Sequence, residues 1–146
     1  MIKKTGFLFI FALILFTSCS HYYIPPDSFK KQFSGIDSSK MKQVAVKGPG
    51  FTTLYYRANP IAVIYCMDKN NKPFQMVNSP SVESKVTFGY KHEQAVFYFD
   101  KIYLSDNLLV GGQSRFLPNP SKSIPIDSIT KIEVLDRHKK FDYVNK

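Results

Sequence analysis

The hydrophobic pattern of this chain constrains its fold more than any other feature. From residue 41 to the end no helical period is sustained. Apolar, aromatic and β-branched residues come instead in short runs cut by turn formers. Val44 and Val46 alternate with Ala45 and Lys47 until Gly48-Pro49-Gly50 forces a turn. Thr52-Thr53-Leu54-Tyr55-Tyr56 is β-branched and aromatic, and Asn59-Pro60 breaks it. Ile61 to Met67 reads as a strongly apolar, central strand. The polar turn Asp68–Lys72 then returns the chain to Phe74-Gln75-Met76-Val77 as its hairpin partner.

The second half repeats this grammar. Val86–Tyr90 predicts a strand, Lys91–Gln94 a turn, and Ala95–Leu104 a long strand bent near Asp100. Ser105-Asp106-Asn107 is a tight turn into Leu108-Leu109-Val110, and Gly111-Gly112 predicts a bulge or bend. Pro118 and Pro120 mark a loop. Ser123–Ile126 is a short strand whose Pro125 suits an edge, and Asp127 is placed to cap a one-turn element. Lys131–Leu135 alternates, Arg137-His138-Lys139-Lys140 is a basic turn, and Phe141–Val144 is a last strand. Thirteen phenylalanines and nine tyrosines suit sheets that bury aromatic faces. The expected fold class is all-β, a twisted antiparallel meander or a small barrel, in one β-rich domain at residues 41–146.

The N-terminus obeys different rules. Lys3 and Lys4 precede an uncharged apolar run, Gly6–Phe16, and Thr17-Ser18-Cys19 forms a small-residue exit. As a helix the run covers about 16 Å, against roughly 30 Å for a bilayer core, so it predicts a signal peptide (1–18) rather than a span. Phe16-Thr17-Ser18-Cys19 resembles the bacterial lipobox, with Phe16 in place of the usual Leu. The resemblance implies that the Cys19 thiol carries diacylglycerol and that cleavage leaves Cys19 as the first residue, a palmitate-type anchor to the membrane. An ordinary secreted protein cut near Ser18 is the plainer alternative. Ser20 is not the Asp of an inner-membrane retention signal, and no acidic cluster follows Cys19. The resemblance thus favours the inner leaflet of the outer membrane, facing the periplasm, over the cell surface. Residues 19–40, with Pro25-Pro26 as a stiff spacer, read as a tether. It carries a possible short helix over Asp27–Phe33, capped by Asp27, with Phe29 and Phe33 on one side.

The stretch from Leu104-Ser105-Asp106 to Arg115, followed by Ile124-Pro125-Ile126-Asp127-Ser128-Ile129-Thr130-Lys131-Ile132-Glu133-Val134, resembles a family of small Gram-negative lipoproteins. These join a lipobox-type signal to a β-rich domain of unknown function. It is similar, more distantly, to Sm-like barrels. These are turn and core positions, so the resemblance implies fold rather than activity, and it brings no catalytic residues.

Losing Lys3 and Lys4 lowers the formal charge from +9 to +7. An extracytoplasmic address argues against nucleic acid and leaves anionic lipid, lipopolysaccharide phosphates or plain solubility. With Cys19 acylated, Cys66 has no disulfide partner, and its apolar run predicts a buried small hydrophobe rather than a reactive thiol. No nucleophile motif or metal spacing occurs. His21, His92 and His138 are scattered, and Asp100, Asp106 and Asp127 read as turn or cap residues. No enzyme activity, cofactor or metal is expected.

Two candidate anion or partner contacts remain. Arg137, His138, Lys139 and Lys140 could meet anionic headgroups or an acidic partner, or form a solvated hairpin tip. Arg115 could pin its loop through a carboxylate or carbonyls, or present a fork to a carboxylate or phosphate. The expected function is binding or scaffolding at the cell envelope, with an envelope protein as possible partner. The alternative is a periplasmic lipid- or glycan-binding β-domain, marked by an enclosed apolar cavity or an aromatic cleft.

Overall fold

A computed structural model describes residues 21–117 and 121–146. The signal segment 1–18, Cys19, Pro118 and Pro120 lie outside the described residues. In chain order the strands are β1 (Tyr22–Tyr23), β2 (Lys42–Lys47), β3 (Thr53–Ala58), β4 (Val63–Met67), β5 (Pro73–Val77), β6 (Val82–Phe88), β7 (Glu93–Tyr98), β8 (Tyr103–Ser105), β9 (Leu108–Gly112), β10 (Ser121–Pro125), β11 (Ile129–Asp136) and β12 (Asp142–Asn145). The one α-helix among the described residues is α1 (Pro26–Gln32).

The all-β antiparallel fold is as the patterning predicts. Six strands form a sheet in the order β5-β4-β1-β11-β6-β7, and two three-stranded sheets run β10-β9-β8 and β12-β2-β3. The large sheet ends at β5 and β7, which do not pair, so the small-barrel alternative is not the form adopted. The expected hairpins are present: β4 and β5 pair from Val63↔Val77 to Met67↔Pro73, and β8 and β9 around Leu104↔Leu109. Ile61–Met67 is not central, however. Its strand β4 lies one place from the sheet edge.

The principal core lies between α1 and the inner faces of the large sheet and of β9–β10. Phe29, Phe33, Phe97, Phe99, Ile102, Leu109, Ile124 and Ile132 are all at most 1% exposed there. Burying each such side chain contributes about 1.5–3 kcal/mol. Val44, Val46, Tyr56 and Ala58 form a second, smaller core on β2–β3.

Ile24, Phe29 and Phe33 belong to the principal core, with Tyr22 packed against it. Tyr22–Tyr23 is a strand between β4 and β11, pairing Tyr22↔Val134 and Tyr23↔Met67. Pro25-Pro26 ends that strand and starts α1, because a proline at the first helical position has no N–H to lose. Asp27 is therefore not the cap but sits one residue inside the first turn. Phe29 and Phe33 stack at 4.4 Å, as their spacing predicts.

The predicted long strand 95–104 is interrupted. β7 stops at Tyr98, a 3-10 turn spans Phe99–Lys101, and β8 follows. Gly111-Gly112 is not a bulge, because both residues pair regularly with Lys122 and Ser121. A Cβ at Gly111 would lie 2.4 Å from the Phe97 ring, and one at Gly112 would lie 2.5 Å from the Lys101 side chain. These two glycines let β9 approach β7 and the 3-10 turn closely.

Candidate functional site

The 3-10 turn Phe99–Lys101 places Asp100 between the two cores, where it is 0% exposed. Its Oδ2 accepts from the Tyr56 hydroxyl of β3 at 2.5 Å and from the Tyr143 hydroxyl of β12 at 2.6 Å. Nη1 of Arg115 lies 3.4 Å from the same oxygen and donates to the Tyr56 hydroxyl. One buried carboxylate thus gathers three elements that are remote in sequence. Burial, reinforced by the Asp100 charge, pushes both tyrosine hydroxyls well above their ordinary pKa, so both remain donors.

Asn59 supplies a second staple beside it. Its Nδ2 donates to the carbonyls of Phe99 at 2.8 Å and Ile102 at 3.0 Å, and its N–H donates to the Asp100 carbonyl at 2.7 Å. The polar ends of the 3-10 turn are therefore satisfied from within the fold, as burial requires.

The Arg115 side chain is 1% exposed, and its guanidinium carbon lies over the Tyr98 ring, 3.8 Å from the ring centre. It has five N–H donors, yet Nε and Nη2 have no hydrogen-bond partner among the described residues, and neither does Asp100 Oδ1.

Arg115 lines a cleft of about 520 Å³ between β3, β8–β9 and the segment that follows β9. Tyr55, Tyr56, Tyr103 and Phe116 give the cleft aromatic walls, and Lys101 adds a second cation. Tyr55 and Phe116 are 67% and 69% exposed, so their ring faces are available to a ligand. Lys101 Nζ donates to the Ser114 carbonyl at 2.5 Å. Burial lowers its pKa, and the positive charge of Arg115 acts in the same direction against the pull of Asp100. Its volume lies within the range of small-molecule pockets.

The sequence-predicted contacts fall in two places. Arg115 is in this cleft. Arg137, His138, Lys139 and Lys140 are exposed in the β11–β12 turn. There Glu83 accepts from Arg137 Nε at 3.0 Å and from Lys139 Nζ at 2.9 Å, while His138 faces Asp136 at 3.4 Å. Cys66 is buried, and burial pushes its thiol pKa up to about 11. Asp127 does not cap its turn but accepts from Lys30 and Asn107.

Sequence reasoning missed Asp100 as an organising group, read Asn59 only as a breaker, and gave Lys101 no role. The usable signal was Asp100-Lys101 inside an otherwise apolar run. Among the described residues no group of three or more His, Cys, Asp or Glu is placed to hold a metal ion, and no helix is long and apolar enough to cross a membrane. Compared with known protein families, curated proteins and solved structures, the chain shows no significant match.

Proposed function

We propose that this chain is a lipid-anchored binding module of the cell envelope, held by acyl chains on Cys19, and that its cleft takes an acidic glycan. The observation that carries the ligand is the cleft itself: Tyr55 and Phe116 stand exposed on a cleft that also holds Lys101, with the Arg115 guanidinium buried behind it. The two cations make the cleft attractive to a carboxylate-bearing ligand. Rings such as Tyr55 and Phe116 offer flat apolar surface to the C–H faces of a sugar while leaving its hydroxyls in water. The lipobox-like Phe16-Thr17-Ser18-Cys19 supports the anchor. The reading is one of binding rather than catalysis.

The test is calorimetric titration of the full chain in detergent with tetragalacturonate and, separately, with uncharged maltotetraose. The acidic oligosaccharide binds and the neutral one does not. Tyr55→Ala, at an exposed position, leaves folding intact and weakens binding. Failure of both sugars to bind, or equal binding of both, would overturn the ligand assignment.

A further inference from the structure

The register of the large sheet fixes where the chain enters the domain. β1 runs antiparallel to both neighbours, with Tyr22 opposite Val134 and Tyr23 opposite Met67. Just before it, His21 is level with the end of β11 on one side and with the start of the β4–β5 turn on the other. The Tyr23 hydroxyl donates to Asn71 of that turn, which fixes the turn against β1. His21 is thus flanked by two basic turns, one with Lys69 and Lys72, the other with Arg137, His138, Lys139 and Lys140. Cys19 is two residues earlier, and two residues span at most about 7 Å of extended chain. Nothing longer than Ser20-His21 separates the acylation position from the core sheet.

The charges at this end are unequal in availability. Glu83 holds Arg137 and Lys139, and Asp136 faces His138. Asp68 accepts the backbone N–H groups of Asn70 and Lys72, and Asp142 is exposed at the start of β12, two residues beyond Lys140. Lys69, Lys72 and Lys140 are exposed and make no ion pair among the described residues.

We propose that this end of the sheet rests on an anionic lipid surface, with Lys69, Lys72 and Lys140 against the headgroup phosphates, so that the domain is held in one orientation rather than swinging on a tether. This rests on the reading of Cys19 as the anchor. Each lysine brought to such a surface favours the docked orientation about fivefold, and salt weakens the effect. The opposite end of the sheet, at the β6–β7 turn with Tyr90 and Lys91, then points away from the membrane.

The experiment uses the full chain, purified from membranes and reconstituted in phosphatidylcholine vesicles with and without phosphatidylglycerol. A fluorophore is placed through Lys140→Cys or, separately, Lys91→Cys, and a headgroup-quencher lipid reports proximity. Cys66 is buried and stays unlabelled. Intact mass is measured on the same samples. The expected result is acylated Cys19, strong quenching at position 140 and little at 91, with the contrast reduced by Lys69→Gln/Lys72→Gln or by omitting phosphatidylglycerol. Acylated protein with equal quenching at both positions, or a contrast indifferent to charge, overturns the orientation and leaves the anchor standing. Absence of the acyl mass overturns the anchor and the orientation with it.

Discussion

The side-chain amide of Gln32 stands in for a strand beside Tyr65. Its Nε2 donates to the Tyr65 carbonyl at 2.8 Å, and its Oε1 accepts from the Tyr65 N–H at 3.0 Å. The need arises because β1 is only two residues long. It meets β4 at Met67 and is then ended by Pro25-Pro26, which leaves the next stretch of β4 without a strand on the side away from β5. The last turn of α1 fills the gap. Gln32→Met, similar in volume but without the amide, should lower stability by about 1 kcal/mol, read as a lower urea midpoint at unchanged slope. Gln32→Glu should cost more, because it sets a carboxylate oxygen against the Tyr65 carbonyl. Stability equal to wild type in both variants would show that water replaces the amide.

Asp100 should be the most sensitive position in the chain. Asp100→Asn keeps the shape but leaves the Arg115 charge buried beside a neutral amide, at a cost of about 3–5 kcal/mol. Tyr143→Phe removes one donor to a charged acceptor and should cost about 1.5–3 kcal/mol. The double variant Asp100→Leu/Arg115→Met, which removes both charges, should be more stable than Asp100→Asn. Chemical denaturation of the three variants decides this. An Asp100→Asn protein as stable as wild type would mean the carboxylate does not organise the junction.

These two positions also mark where the sequence was readable. Period-two alternation announced β2, because Val44 and Val46 face the small core while Lys47 faces solvent. The β4–β5 hairpin was legible from Asp68–Lys72 because turn chemistry is local. Asp100 had no such local signature. Its meaning depends on Tyr56 and Tyr143, 44 and 43 residues away in sequence. Asn59 reads as a breaker for the same reason, since its acceptors lie at Phe99 and Ile102. A two-residue strand such as Tyr22–Tyr23 is shorter than any periodic window, so the segment read as a tether concealed an inner strand of the large sheet. Arg115 was legible as a candidate, but its burial against the Tyr98 ring was not.

Gly111 and Gly112 are neighbours that should respond differently to alanine. At Gly111 the added Cβ meets the Phe97 ring at 2.4 Å, and Phe97 is 1% exposed and cannot move aside freely. Gly111→Ala should cost about 1–3 kcal/mol from overpacking, seen as a lower melting temperature. At Gly112 the Cβ meets the far end of Lys101, a flexible side chain. Gly112→Ala should change stability little but displace Lys101 from the Ser114 carbonyl and so weaken acidic oligosaccharide binding in the cleft. Equal destabilisation by both alanines would contradict this account.

Glu83 gives the fold a pH dependence whose sign follows from its surroundings. Burial opposes its charge, but hydrogen bonds from Lys139 and Arg137 outweigh that and hold its pKa below the ordinary value. The folded state therefore binds the Glu83 proton less readily than the unfolded chain. The resulting stabilisation is complete above the usual Glu range, about 4.3, and is lost as pH falls through the lower folded pKa. Arg137 and Lys139 are nearly half exposed, so solvent screening limits the contribution to about 1 kcal/mol. Glu133, Asp37, Asp68 and Asp127 are also depressed and act in the same direction, so the informative quantity is the difference between wild type and Glu83→Gln. At pH 7 the variant should be less stable by that amount, and the gap should close as pH falls below 4. Denaturation midpoints at pH 3, 5 and 7 test it. A gap that stays constant across the three would assign the Glu83 contribution to packing rather than to its charge.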